Sequence, residues 1–116
     1  MPDPGTTLDV RRVSAEAAII AVRGELTGST DALLMDAYGR AADPSTRVVV
    51  LDFTGLDYMN STGIGLLVTL LVRAQRQRQR LMAFGLSEHY REILSLTRLD
   101  EAIGVVATEA EALAPA

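Results

Sequence analysis

The run Arg47-Val48-Val49-Val50-Leu51-Asp52 constrains the fold more than any other stretch of this 116-residue chain. Successive side chains of a strand point to opposite faces, so the four consecutive apolar residues Val48 to Leu51 mark a strand covered on both sides. A strand of that kind belongs in the middle of a largely parallel sheet with helices packed on it. The run Leu81-Met82-Ala83-Phe84 repeats the signal. Between the two lies the segment Ile64 to Ala74, apolar at helical spacing. A strand, a helix and a strand in that order predict a right-handed crossover and parallel pairing.

The other elements follow from periodicity and punctuation. Leu8 to Val13 and Ala17 to Leu26 read as two strands joined by the short turn Ser14-Ala15-Glu16, hence antiparallel neighbours. Gly24 to Gly28 breaks the second of them. Ser29 or Thr30 then caps a helix from Asp31 to about Ala42, with Leu33, Leu34, Ala37, Tyr38 and Ala41 on its inner stripe. Ser87 caps a helix from Glu88 to Thr97 with Tyr90, Ile93 and Leu94 inward; Ile103 to Ala107 is an edge strand, and Glu109 to Leu113 a last helical turn. The predicted order is β-β-α-β-α-β-α-β-α. That is an α/β fold with a mixed sheet of four to five strands and about four flanking helices. Residues 1–116 form one domain, with an ordered core of about 8–107 between short tails.

Composition removes several function classes. There is no cysteine, and His89 is the one histidine, so neither a thiolate site nor a histidine metal cluster can be assembled. His89 reads as a helix-surface residue. Asp52 and Asp57 read as turn residues; an acid pair or a Mg²⁺ site is the alternative, but no base, nucleophile or phosphate-binding loop accompanies them. Gly63-Ile64-Gly65 lacks both the Walker lysine and the dinucleotide spacing. No apolar run reaches the ~20 residues of a membrane span. The N-terminus lacks signal-peptide character, so the expected location is cytoplasmic. A net charge of −4 argues against nucleic acid. All eleven basic residues are arginines, and Arg73, Arg76, Arg78 and Arg80 cluster at the end of the long helix. Cations suit the macrodipole there, and the cluster reads as a solvated helix end, with an acidic partner or RNA as the other reading.

The stretch Tyr58-Met59-Asn60-Ser61-Thr62-Gly63-Ile64-Gly65 carries the most chemistry. It places a Ser-Thr hydroxyl pair where a helix starts, among unpaired backbone N–H groups. Dipole and donors there also tolerate a phosphate. Ser61 is therefore either a plain helix cap or a phosphorylation switch. Asn60 reads as a turn and capping residue, and Gly63 and Gly65 as sites of close approach. Tyr58 and Met59 are either core filling or anchors of an interface.

Four stretches together resemble the STAS domains of anti-sigma factor antagonists, the anti-anti-sigma proteins of bacterial partner switching. They are Gly24-Glu25-Leu26, Val48 to Asp52 leading into Tyr58 to Gly65, the strand Leu81 to Phe84, and Leu86-Ser87 through Ile93-Leu94 to Leu99–Ile103. The resemblance implies a non-enzymatic protein with no cofactor of its own. It implies binding to an anti-sigma factor with serine kinase activity, release when Ser61 is phosphorylated, and resetting by a PP2C-type phosphatase. Thr62 is the second choice for the modified hydroxyl. The implied partner surface comprises Gly24, Glu25, Leu26, Thr27, Tyr58, Met59, Asn60, Ser61, Thr62, Gly63 and Ile64, with no direct contact to nucleic acid or membrane. Two positions depart from the family pattern: Asn60 and Thr27 stand where an aspartate is common. An unphosphorylated docking subunit of a lipid-transport or signalling complex is the alternative use of the same fold.

Overall fold

A computed structural model describes residues 5–115. Its strands are β1 (Thr7–Arg12), β2 (Ala17–Leu26), β3 (Val48–Asp52), β4 (Leu56–Met59), β5 (Arg80–Phe84) and β6 (Gly104–Val105). Its helices are α1 (Asp31–Ala41), α2 (Ser61–Arg76), α3 (Glu88–Leu96) and α4 (Glu109–Leu113). The sheet order is β1-β2-β3-β5-β6, with β1 antiparallel to β2 and the other pairs parallel. The first residues of the expected N-terminal tail, 1–4, lie outside the described residues, as does Ala116.

β3 is central and covered on both faces, as its composition demands. Val49 and Leu51 enter the main core, built with Leu34, Ala37, Tyr38 and Ala41 of α1, Leu67, Leu70 and Ala74 of α2, and Leu94 of α3. Val50 faces the opposite way, into a smaller cluster with Ile19, Met82, Phe84 and Ala112. Three helices thus cover one face, while α4 covers part of the other and is tied to β1 by the Arg11–Glu109 ion pair at 2.6 Å. The Tyr38 hydroxyl donates to Gln79 Oε1 at 2.5 Å inside the main layer. Burial pushes that phenol up to about 12, against the opposing pull of the Arg73 guanidinium over its ring.

Several expectations need correction. β4 lies outside the predicted order: Leu56 to Met59 forms a sixth strand, parallel to the end of β2. Four residues with Asp57 and Tyr58 exposed give too short a pattern to announce a strand. Nor does β2 break at Gly24. Gly24 takes φ +92°, and the register shifts between Gly24 and Glu25, so β2 pairs with β3 over its first half and with β4 over its last residues. A Cβ on Gly24 would overlap the Gly5 carbonyl, which explains the glycine. Neither Ser29 nor Thr30 caps α1 with its side chain. A 3-10 turn, Gly28–Thr30, precedes that helix, and Thr30 Oγ1 turns back, donating to the Thr27 carbonyl at 2.7 Å. Leu33 is exposed rather than part of the inner stripe.

Candidate functional site

Three backbone segments converge at the start of α2. Pairing of Glu25 with Tyr58 and Leu26 with Met59 lays the end of β2 beside β4. The turn after β2 and the loop before α2 are therefore neighbours in space, although 30 or more residues separate them. The Leu26 carbonyl is the pivot: it accepts the Asn60 N–H at 3.4 Å, and a Cβ on Gly63 would overlap it. Gly63 thus lets the first turn of α2 rest directly on the backbone of β2. Gly65 has no such role. Nothing lies within 4 Å of where its Cβ would be, which corrects the expectation of a close approach within the chain. An exposed glycine inside a helix costs about 1 kcal/mol relative to alanine.

Asn60, not Ser61, caps α2. Its Oδ1 accepts the Gly63 N–H at 2.9 Å, and its extended backbone is that of an N-cap residue. Ser61 is the first helical residue. It is exposed, and its hydroxyl makes no hydrogen bond with any described residue. The cap reading of Ser61 is therefore corrected: the hydroxyl is free, beside the N–H groups of a helix start that find no partner within the helix. Thr62 is also exposed and lies against Gly28.

Asn60→Ala is expected to lower stability by about 1 kcal/mol, while Asn60→Asp keeps the acceptor and leaves it nearly unchanged. Thermal melts of the two variants check this. Equal melting of Asn60→Ala and the wild type would contradict the cap.

The implied contact residues divide by burial. Tyr58 is 47 % exposed, and Glu25, Ser61 and Thr62 are exposed with it. Leu26 and Met59 are 0 % and 4 % exposed, with side chains in the main core. Their side chains support the loop from within; for Met59 this is the core-filling reading of the two left open by the sequence, and for Leu26 any part in a contact is left to its backbone. Gly24 and Gly63 are buried as well and act through backbone shape, while Thr27, Asn60 and Ile64 are half-buried. Thr27 is engaged locally, its hydroxyl 2.9 Å from that of Ser29. Asp52 is committed to the turn after β3, where Oδ1 accepts from the Thr54 N–H and hydroxyl at 2.9 and 2.6 Å. Among the described residues no group of three His, Asp or Glu side chains is placed to hold a metal ion. Nor is any described helix long and apolar enough to cross a membrane.

Tyr90 joins the site from α3. Its hydroxyl accepts the Met59 N–H at 2.9 Å, on the side of β4 that no strand among the described residues covers. From the sequence it reads only as an inward-facing residue. The available signal is that a half-buried tyrosine, unlike phenylalanine, brings a hydroxyl that needs a partner. Tyr90→Phe leaves that N–H without its acceptor and is expected to cost about 1–2 kcal/mol. Amide exchange should quicken at Met59 and Asn60 first; an unchanged rate there would contradict the role.

Comparison with known proteins agrees with this geometry. A family model described as "Mlab, STAS domain" matches residues 10–107. The chain belongs to the STAS-domain family. Among curated relatives of this STAS domain is the anti-sigma-B factor antagonist of Listeria monocytogenes. That protein is 25% identical over 105 residues, covering 90% of this chain and 92% of the relative. Among solved structures, an anti-sigma factor antagonist from Mycobacterium paratuberculosis superposes with a TM-score of 0.80 at 21% identity, over 97% of this chain and 96% of that one. The Bacillus cell fate determinant SpoIIAA in its phosphorylated form gives a TM-score of 0.66 at 22% identity, over 92% and 96%. At such identities the two structures establish that the STAS domain shares their fold.

Proposed function

We propose that this STAS domain is an anti-sigma factor antagonist. It binds an anti-sigma factor that is also a serine kinase, and phosphorylation of Ser61 ends that binding. The observation that carries the reading is the free, exposed Ser61 hydroxyl at the start of α2. Asn60 already caps the helix, so Ser61 is available for chemistry without loss of a structural hydrogen bond. A phosphate there adds about −1.5 to −2 charges in the middle of a contact surface. Desolvation and repulsion then oppose docking, while the helix start accommodates the anion and the fold persists. Relatives named as anti-sigma factor antagonists, and one structurally similar protein named in a phosphorylated form, support the reading.

The ATP and the catalysis belong to the partner, and a PP2C-type phosphatase would restore the free hydroxyl. The test is incubation of the chain with ATP and serine-kinase anti-sigma factors of its own genome, followed by mass mapping of the phosphate. Phosphate on Ser61, absent in Ser61→Ala, supports the switch. A second reading, a constitutive docking subunit of a lipid-transport or signalling complex, is favoured by Asn60 and Thr27 in place of the family's usual aspartates. Stable capture of a partner with no phosphate on Ser61 would select it.

A further inference from the structure

Gly65, Val68, Val72 and, at the end of α2, Arg76 and Arg78 have no role in the fold or in the switch described above. Spacings of four, three, four and four residues put Ser61, Gly65, Val68, Val72 and Arg76 on one line of the helix, within roughly 80° of arc and ~22 Å long. Val68 and Val72 are each 41 % exposed, and with Arg76 they border an open groove of about 510 Å³. Gly65 adds a stretch of backbone without a side chain between Ser61 and the valines; nothing among the described residues packs where its Cβ would lie, and its carbonyl accepts the Thr69 hydroxyl at 3.2 Å.

The foot of this line is basic in a chain of net charge −4. Among the described residues, ion pairs engage Arg11, Arg12, Arg40 and Arg98, and three of the seven arginines outside them, Arg76, Arg78 and Arg80, follow one another at the end of α2 and just beyond it. Arg73 is occupied within the fold, donating to the Met35 carbonyl at 3.1 Å and lying over the Tyr38 ring. Arg76 and Arg78 are exposed. Unpaired cations beside exposed valines match a segment that is apolar in its middle and carboxylate-bearing at one end.

We infer that the exposed line of α2, from Ser61 past Gly65, Val68 and Val72 to Arg76, is the seat of an apolar, acid-flanked segment of the anti-sigma factor. Gly65 is the point of closest backbone approach, and Arg76 and Arg78 pair with the carboxylates. This rests on the antagonist reading and extends it along the helix: the contact surface runs away from the phosphorylation site, not only around it. A phosphate on Ser61 then sits at the head of the seated segment, where it disturbs the whole contact.

Gly65→Ala separates a seat from an ordinary helix surface because its two effects have opposite signs. The added methyl group meets nothing within the chain and removes the backbone freedom of glycine, so Tm is expected to rise by about 4 °C. Affinity for the anti-sigma factor found in the kinase test is expected to fall at least ~10-fold, as the methyl group holds the partner away. The double variant Arg76→Glu with Arg78→Glu is expected to lose ~10-fold or more at low salt, together with most of the salt dependence of binding. Titration calorimetry with that anti-sigma factor reads both, with Ser61→Asp as control. If Ser61→Asp loses binding while Gly65→Ala and the arginine variants bind within twofold of the wild type, the seat is overturned and the antagonist reading stands. If the wild type binds no anti-sigma factor, both fall. A concentration-dependent dimer abolished by Val68→Asp would give the line to a second copy of this chain and also overturn the inference.

Discussion

Ser61→Asp is expected to weaken binding of the anti-sigma factor at least ~100-fold, about 3 kcal/mol, while Tm stays within a few degrees of the wild type. The two effects separate because the hydroxyl holds nothing within the fold. Asn60 supplies the cap, and Ser61 makes no hydrogen bond with a described residue. A carboxylate in the first turn of α2 interacts favourably with the helix dipole by about 0.3–1 kcal/mol, so the fold is if anything firmer. On the contact surface the same charge must be desolvated against a packed neighbour, and that cost falls on the complex alone. Ser61→Ala should bind as the wild type does. Calorimetric titration beside a thermal melt reads both quantities, and equal binding by the Asp variant would refute a charge-operated switch.

Gly63→Ala is expected to destabilise the domain by about 2–4 kcal/mol, lowering Tm by roughly 10 °C or more. Helix propensity alone points the other way, since alanine is favoured over glycine by about 1 kcal/mol. Geometry decides the sign: the new methyl group would overlap the Leu26 carbonyl and crowd the Met59 side chain. Leu26 is backbone at the end of a buried strand, and its oxygen also accepts the Asn60 N–H, so neither side yields without moving the loop. Two residues further on, Gly65→Ala should stabilise. A pair of identical substitutions with opposite effects on Tm, measured in one denaturation series, tests the packing of this helix start directly. A Gly63→Ala variant that melts with the wild type would show that α2 does not rest on β2 as described.

Long, strongly patterned segments were legible. The span of β2 and the parallel β3 to β5 crossover follow from runs whose burial requirement is written in their composition. The junction at Ser61 was legible as a place, because Asn-Ser-Thr-Gly before an apolar stretch has few other readings. Which residue caps was not: Asn60 and Ser61 are both good cap residues, and only the extended backbone of Asn60 decides it. β4 leaves no local signal because its stability comes from a partner, the end of β2, far away in the chain.

Exposure within the site was the least legible property. Met59 and Tyr58 are adjacent and apolar, yet one is 4 % and the other 47 % exposed. In a strand, neighbours point to opposite sides, so the pairing of Glu25 with Tyr58 and Leu26 with Met59 assigns each to its face. Until β4 is known to be a strand, that alternation has no reference.

From its sequence alone this protein was bound to be a layered α/β domain with a buried central strand and a hydroxyl-bearing helix start. Side-chain chemistry and local periodicity suffice for that. Only the tertiary structure decided that the Ser61 hydroxyl is free, that Gly63 is locked against β2 while Gly65 stands open, and that Tyr90 reaches the loop. Each depends on where distant backbone comes to lie, and contacts between segments remote in the chain leave no mark in local patterning.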